Sequence, residues 1–534
     1  MSRRSAIVSV LSVLSLLVAV AGLLSWPASA IAAAATPWTG SWAVAPQSSG
    51  TTFAQQTLRQ IVHTSIGGSS ARVHLSNVFG NQPLVVADVH IANSTSGSSV
   101  DGGSDRAVTF GGQATTTIPV GGSAVSDPIS FTVGAQANVA VSAFLPQATG
   151  PATSHQLGLQ NNFVASGDVS GSATLNNPQT IGSYYFLTNL DVQNTAATGA
   201  VVTLGASITD GVSSGTGDNR RWPNDLASRL LGTGRTVGVL NEGISGNQLL
   251  VDGAGQSALN RFQRDVVQQP NVRWVIFSDD PINDLGNPSA LPSATQLING
   301  LKQLIAAAHQ ANITFLCSTL TPAAPRSTWS AQAETEREQI DAFIRGAGSG
   351  CDGSVDQDTA THDPNNPTTY LPSFNSGDNL HPNETGLQAI ANAVDLTPFG
   401  ASTTQVISLR AHADNMIVTA ENAGAAALIA NRTAIGPWEQ FDLVDEGSGN
   451  VALFAHADNQ YVTAENAGAS PLIANRTAVG LWETFALIHN PDGSVSLQAK
   501  ANNHYVTAEN AGASSLIANR TAIGQWEEFD LIHD

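Results

Sequence analysis

Lysine is almost missing from this chain: 534 residues hold two, Lys302 and Lys500. Charged residues of every kind make up 12%, and Asp plus Glu outnumber Lys plus Arg by 41 to 21, for a formal charge of −20. So few cations cannot neutralise a row of phosphates, which excludes nucleic acid as a partner, and an anionic membrane surface would repel the chain. Cysteine is equally scarce, with Cys317 and Cys351 alone. Neither sits in a glycine-rich turn or beside a histidine, which argues against a catalytic thiol. In an oxidising compartment an even pair reads as one disulfide, and two buried thiols are the alternative. Past the N-terminus no apolar run approaches a membrane span.

What is present falls into segments. Arg3 and Arg4, the apolar run "AIVSVLSVLSLLVAVAGLL" and "ASA" at 28–30 read as a signal peptide over residues 1–33, with an uncleaved anchor as the lesser alternative. The mature protein is expected to be secreted. Residues 36–195 carry short alternating runs broken by Gly, Ser and Asn, such as "ARVHLSNVFG", which puts Val73 and Leu75 on one face. This predicts an all-β sandwich or jelly roll. Its histidines, His63, His74, His90 and His155, match no metal-ligand spacing and read as structural.

Over residues 198–397 strands and amphipathic helices alternate. Strands are expected at 200–204, 236–242, 272–278, 313–319 and 353–356, with a last helix in "NETGLQAIANAV". That order predicts an α/β three-layer domain with a parallel sheet. Residues 404–534 repeat themselves three times, with Trp438, Trp482 and Trp526 spaced 44 residues apart, as are Glu421, Glu465 and Glu509. Closed propellers need more blades, so three copies of this length fit a β-trefoil. The copies resemble the fascin-like trefoils appended to secreted carbohydrate-active enzymes. That resemblance implies carbohydrate binding, with residues unknown; the repeated Trp residues read as core pillars ahead of sugar platforms.

Chemistry concentrates in the middle segment. An open α/β sheet keeps its ligands beyond the carboxyl ends of its strands. Four loops there carry groups suited to acyl transfer: Ser207 in "VTLGASITDG", Gly243 in "NEGISGN", Asn283 in "SDDPINDLG", and Asp378 with His381 in "DNLHPNETG". A serine hydroxyl needs a base within hydrogen-bond reach, which His381 supplies, and Asp378 would fix its tautomer. Backbone N–H groups of Ser207 and Gly243 with the Asn283 amide would form the oxyanion hole. The G-x-S-x-G elbow is absent. The set resembles the SGNH/GDSL serine hydrolases, in an arylesterase-like branch with an N-terminal β-domain, to which "RQIVHTSIGGSSARVHLSNVFG" is similar. The resemblance implies a flavodoxin-like hydrolase domain with a Ser207–His381–Asp378 triad.

Two residues depart from that pattern. Ala206 stands where the family has aspartate, and Pro281 where it has glycine. Both are expected to weaken the enzyme without deleting a triad member, and replacing Ala206 by Asp is expected to raise kcat or stability. Asp352, Asp356 and Asp358 lie close together but lack the continuation of a calcium loop, and Asp279 with Asp280 is discounted as a glycosidase pair. The reading is a secreted, cofactor-free, metal-free serine carboxylic-ester hydrolase. Its partner is an ester substrate, an acylated polysaccharide or a small ester carrying acetyl or another short acyl group, with no nucleic acid and no membrane after signal cleavage. The acyl group, the glycan and the oligomeric state are not specified. A catalytically dead carbohydrate-binding protein and a lipase or lysophospholipase are the alternatives.

Overall fold

A computed structural model describes residues 36–400, 405–447, 450–477, 479–490 and 492–533. The expected signal segment, apart from its margin, lies outside the described residues. Among those described, no helix is long and apolar enough to cross a membrane.

The first segment forms antiparallel sheets. One runs Trp38–Ala43, Leu187–Gln193, Ser70–Ser76 and Ser123–Val125 from edge to edge. The other has Gln56–His63 and Asn138–Leu145 at its centre. Alternation does the work: Ala71, Val73 and Leu75 are buried, while Arg72 and His74, pointing the other way, both reach Asp191.

The middle segment holds five parallel strands: β1 (Gly199–Gly205), β2 (Val237–Gly243), β3 (Val272–Phe277), β4 (Thr314–Ser318) and β5 (Gly353–Val355). Their order is β2-β1-β3-β4-β5. All seven residues of β1 are buried, as in a sheet covered on both faces. The helices are α1 (Ser207–Asp210), α2 (Trp222–Gly232), α3 (Ala258–Phe262, running into a π turn over Gln263–Val267), α4 (Asp280–Leu285), α5 (Ala294–Gln310), α6 (Ala331–Arg345), α7 (Gln357–Thr361) and α8 (Glu384–Asn392). A Ser293–Gln296 capping box starts α5. Cys317 at the end of β4 and Cys351 ahead of β5 form a disulfide, with Cα atoms 5.8 Å apart.

The edge strand β2 is covered by the β-domain. A side chain at Gly238 would meet Gly40 O at 1.9 Å, so glycine lets the two backbones approach. Gly40 N donates to Pro270 O and Val239 N to Ser65 Oγ, so neighbours from the first domain partner the sheet's flank.

Residues 405–533 form twelve strands in three repeats, and Gln405–Ala411 closes on Phe529–His533. The hairpins repeat in one register: Ile417, Tyr461 and Tyr505 lie opposite Arg432, Arg476 and Arg520. This trefoil-like barrel is filled by Phe441, Phe485 and Phe529, all fully buried. The expected tryptophan pillars are therefore corrected. Trp438 is 38% and Trp482 36% exposed. Each lies in the turn ahead of a strand, and the phenylalanine three residues later takes the core position. Strand Phe441–Gly447 packs on α2, joining the barrel to the hydrolase domain.

Candidate active site

Ser207 opens α1, immediately after β1. Its Oγ lies 2.8 Å from His381 Nε2, and His381 Nδ1 lies 2.6 Å from Asp378 Oδ2. The Asp378–His381 turn builds itself: the other carboxylate oxygen accepts from the Leu380 and His381 N–H groups, each at 2.9 Å. Partial burial would raise the Asp378 carboxyl, but these donors and the His381 ring outweigh it and hold it well below the usual carboxylate range. Ser207 is buried at 7% exposure, whereas half of the Asp378 side chain faces solvent.

The nucleophile turn has a support that sequence reasoning missed. Asp279, at the junction of β3 and α4, accepts from the Ala206, Ile208 and Thr209 N–H groups and from Thr209 Oγ1, at 2.6–3.3 Å. Gly205 makes room for it, since a Cβ there would sit 2.4 Å from Asp279 Oδ1. The carboxylate absent at 206 is thus supplied from another loop, and the surplus acid in "FSDD" was its only trace in the sequence. Pro281 is also accommodated: it occupies the first turn of α4, where its N–H would have no intrahelical partner. The weakening expected from Ala206 and Pro281 loses its physical basis.

The expected oxyanion donors are placed differently. Gly243 N donates to Asn241 Oδ1 at 2.9 Å, so it is engaged within the protein, a correction to its expected role. Glycine is required there for packing instead, because a Cβ would lie 2.4 Å from Asp210 N. One Asn283 amide hydrogen goes to Asn247 O at 2.9 Å, leaving the second. Ser207 N stands at the first helical position, beyond reach of an intrahelical carbonyl.

Beneath the turn, Arg261 is fully buried and donates to Gly205 O and Glu242 O, tying the carboxyl ends of β1 and β2 together. Burial pushes the nearby Asp280 up to about 6 against the attraction of Arg261. Burial likewise lifts Asp284 to about 7, although Leu249 and Leu250 N–H groups donate to it. The acids of "CDGSVDQD" are engaged elsewhere: Asp352 with His309, and Asp356 and Asp358 with Arg345. Among the described residues, metal-ligating atoms gather at His412, Asp492 and Glu528, on the trefoil.

A parallel α/β sheet bearing serine, histidine and aspartate beyond its strand ends defines a three-layer hydrolase-type domain. Residues 203–389 match the GDSL-like Lipase/Acylhydrolase family. The chain therefore carries a domain of that family, fused to a trefoil-like barrel, and this membership places the central domain among hydrolases of ester substrates. Among solved structures, a GDSL-like lipase from Bacteroides thetaiotaomicron is 18% identical, with a TM-score of 0.28 over 36% of this chain and 84% of that one. An α/β hydrolase from the metagenome of Lake Arreo is 23% identical, with a TM-score of 0.30 over 38% of this chain and 96% of that one. The designed threefold protein ThreeFoil is 25% identical, with a TM-score of 0.23 over 24% and 97%. No curated protein matches the chain significantly.

Proposed function

We propose that this protein is a secreted serine carboxylic-ester hydrolase that removes acetyl or other short acyl groups from a polysaccharide. The observation that carries the catalytic part is the unbroken chain Asp378–His381–Ser207, with links of 2.6 and 2.8 Å. His381 takes the Ser207 proton at Nε2 as Oγ forms a bond to the acyl carbon. The tetrahedral oxygen has the Ser207 N–H and the second Asn283 amide hydrogen as candidate donors. Collapse breaks the ester C–O bond, and the imidazolium returns the proton to the leaving alcohol. Water then attacks the acyl-enzyme with His381 again as base, releasing the acid and freeing Ser207.

Secretion is supported by the basic, apolar and small-residue order of residues 1–33 and by a disulfide, which suits an oxidising compartment. The polysaccharide part is supported by the trefoil, where exposed Trp438 and Trp482 lie among repeated Glu–Arg pairs: Glu421–Arg432, Glu465–Arg476 and Glu509–Arg520. A fluorophosphonate labels only an activated serine, so it tests the catalytic claim directly. Wild type should label and Ser207→Ala should not; an unlabelled wild type would leave the carbohydrate-binding reading in possession. Acid release from acetylated polysaccharides compared with long-chain lipid esters separates this substrate class from a lipase.

A further inference from the structure

The four residues of α1 cannot hold a helix by themselves, since one turn forms too few backbone bonds to offset its nucleation cost. Asp279 secures the start of that turn, as described above. Its end is secured by Asp210, which is 2% exposed and uses both carboxylate oxygens. Oδ2 accepts from Ser245 N at 3.0 Å and Ser245 Oγ at 2.7 Å, on the loop that follows β2. Oδ1 faces Nε2 of His155 at 3.1 Å, and His155 belongs to the β-domain. The histidine is itself fixed, with Nδ1 lying 3.0 Å from Ala45 O and its side chain 3% exposed. A second tie follows the same path: Arg221 donates through Nε to Asp210 O and through Nη2 to Leu157 O and Gly158 O of the β-domain.

We infer that His155 is a positioning residue of the Ser207 site, acting through Asp210, so that the β-domain is a working part of the esterase. The inference rests on the serine-esterase reading. A buried carboxylate stripped of one donor is costly and moves to regain it. Asp210 lies three residues from the nucleophile and against the loop after Gly243. Its displacement therefore shifts Ser207 Oγ relative to His381 and to the oxyanion donors, and misplacement by about 1 Å costs on the order of a hundredfold in rate.

The test uses the full chain and p-nitrophenyl acetate. His155→Ala should lower kcat by about 10–100-fold, the range for disturbed supporting partners, with KM changed less than twofold. His155→Gln, whose amide can still donate to Asp210, should recover most of that loss. His74→Ala breaks a similar His–Asp contact within the β-domain, 2.6 Å to Asp191, and should lower Tm while leaving kcat unchanged. Wild-type kcat in folded His155→Ala, or glutamine no better than alanine, overturns the inference. If His155→Ala does not fold, the decisive measurement is the cycle of His155→Gln with Ser245→Ala: both act through Asp210, so their effects should be non-additive, and independent effects overturn the proposal. Wild type that fails to label with a fluorophosphonate sinks the esterase reading instead, and this inference with it.

Discussion

Ala206 and Asp279 exchange roles at the nucleophile. The hydrogen bonds that Asp279 receives from the turn make its carboxylate, and not a residue beside the serine, the anchor of Ser207. Asp279→Asn turns an amide group toward backbone donors and should reduce kcat by about a hundredfold, with Ser207 still present, as judged by steady-state ester hydrolysis. Ala206→Asp adds a second carboxylate in a fully buried turn already holding one, and like charges there disfavour each other. It should lower Tm or kcat, reversing the expectation from family pattern alone, and a gain in either would refute the substitution argument. Ser207→Ala and His381→Ala should each reduce p-nitrophenyl acetate turnover by about 10⁴-fold or more; retained turnover in either would reassign the nucleophile or the base. Ser207, Asp378 and His381 were legible because each sits in a recognisable local motif. Gly243 was legible as a glycine but not for its reason, because Asp210, the atom group it must clear, is 33 residues away in sequence.

At the level of elements, the alternation of strands and helices was readable because β1, β3 and β4 are continuous apolar runs and the longer helices carry one apolar face. What lies under the sheet edge was not readable. Asp280, Asp284 and Asp341 take up protons more readily when folded, with values of about 6, 7 and 7, because burial disfavours their charged forms. The folded state therefore binds more protons than the unfolded chain between about pH 4 and 7, and stability falls as pH rises through that window. Thermal melts should show a higher Tm at pH 5.5 than at pH 8; an equal or lower value would contradict the buried-acid account. The Cys317–Cys351 bridge closes a separation of 34 residues, for which loop entropy predicts about 4 kcal/mol of stabilisation. Reduction should lower the denaturation midpoint accordingly, read with and without dithiothreitol.

Across the whole molecule, the hydrolase domain is held from both sides: the β-domain covers β2 and reaches Asp210, while the trefoil rests on α2. The trefoil's outward tryptophans suit a ligand, because the barrel is already filled by phenylalanine. The double variant Trp438→Ala with Trp482→Ala should therefore leave p-nitrophenyl acetate turnover unchanged and weaken retention on acetylated polysaccharide severalfold, measured by affinity electrophoresis. Unaltered retention would remove the trefoil from substrate capture.

The sequence by itself determined the three-part architecture, the threefold repeat, the strand-end loops and the serine, histidine and aspartate they carry. Those are local properties: hydrophobic period fixes which face is buried, and short motifs fix turns. Only the tertiary structure decided that Asp279 replaces the carboxylate missing at 206, that the Gly243 N–H turns to Asn241, that Trp438 faces outward, and that His155 reaches the nucleophile helix. Periodicity states that a group is buried but not which distant donor or acceptor meets it, and those meetings follow from how whole sheets pack.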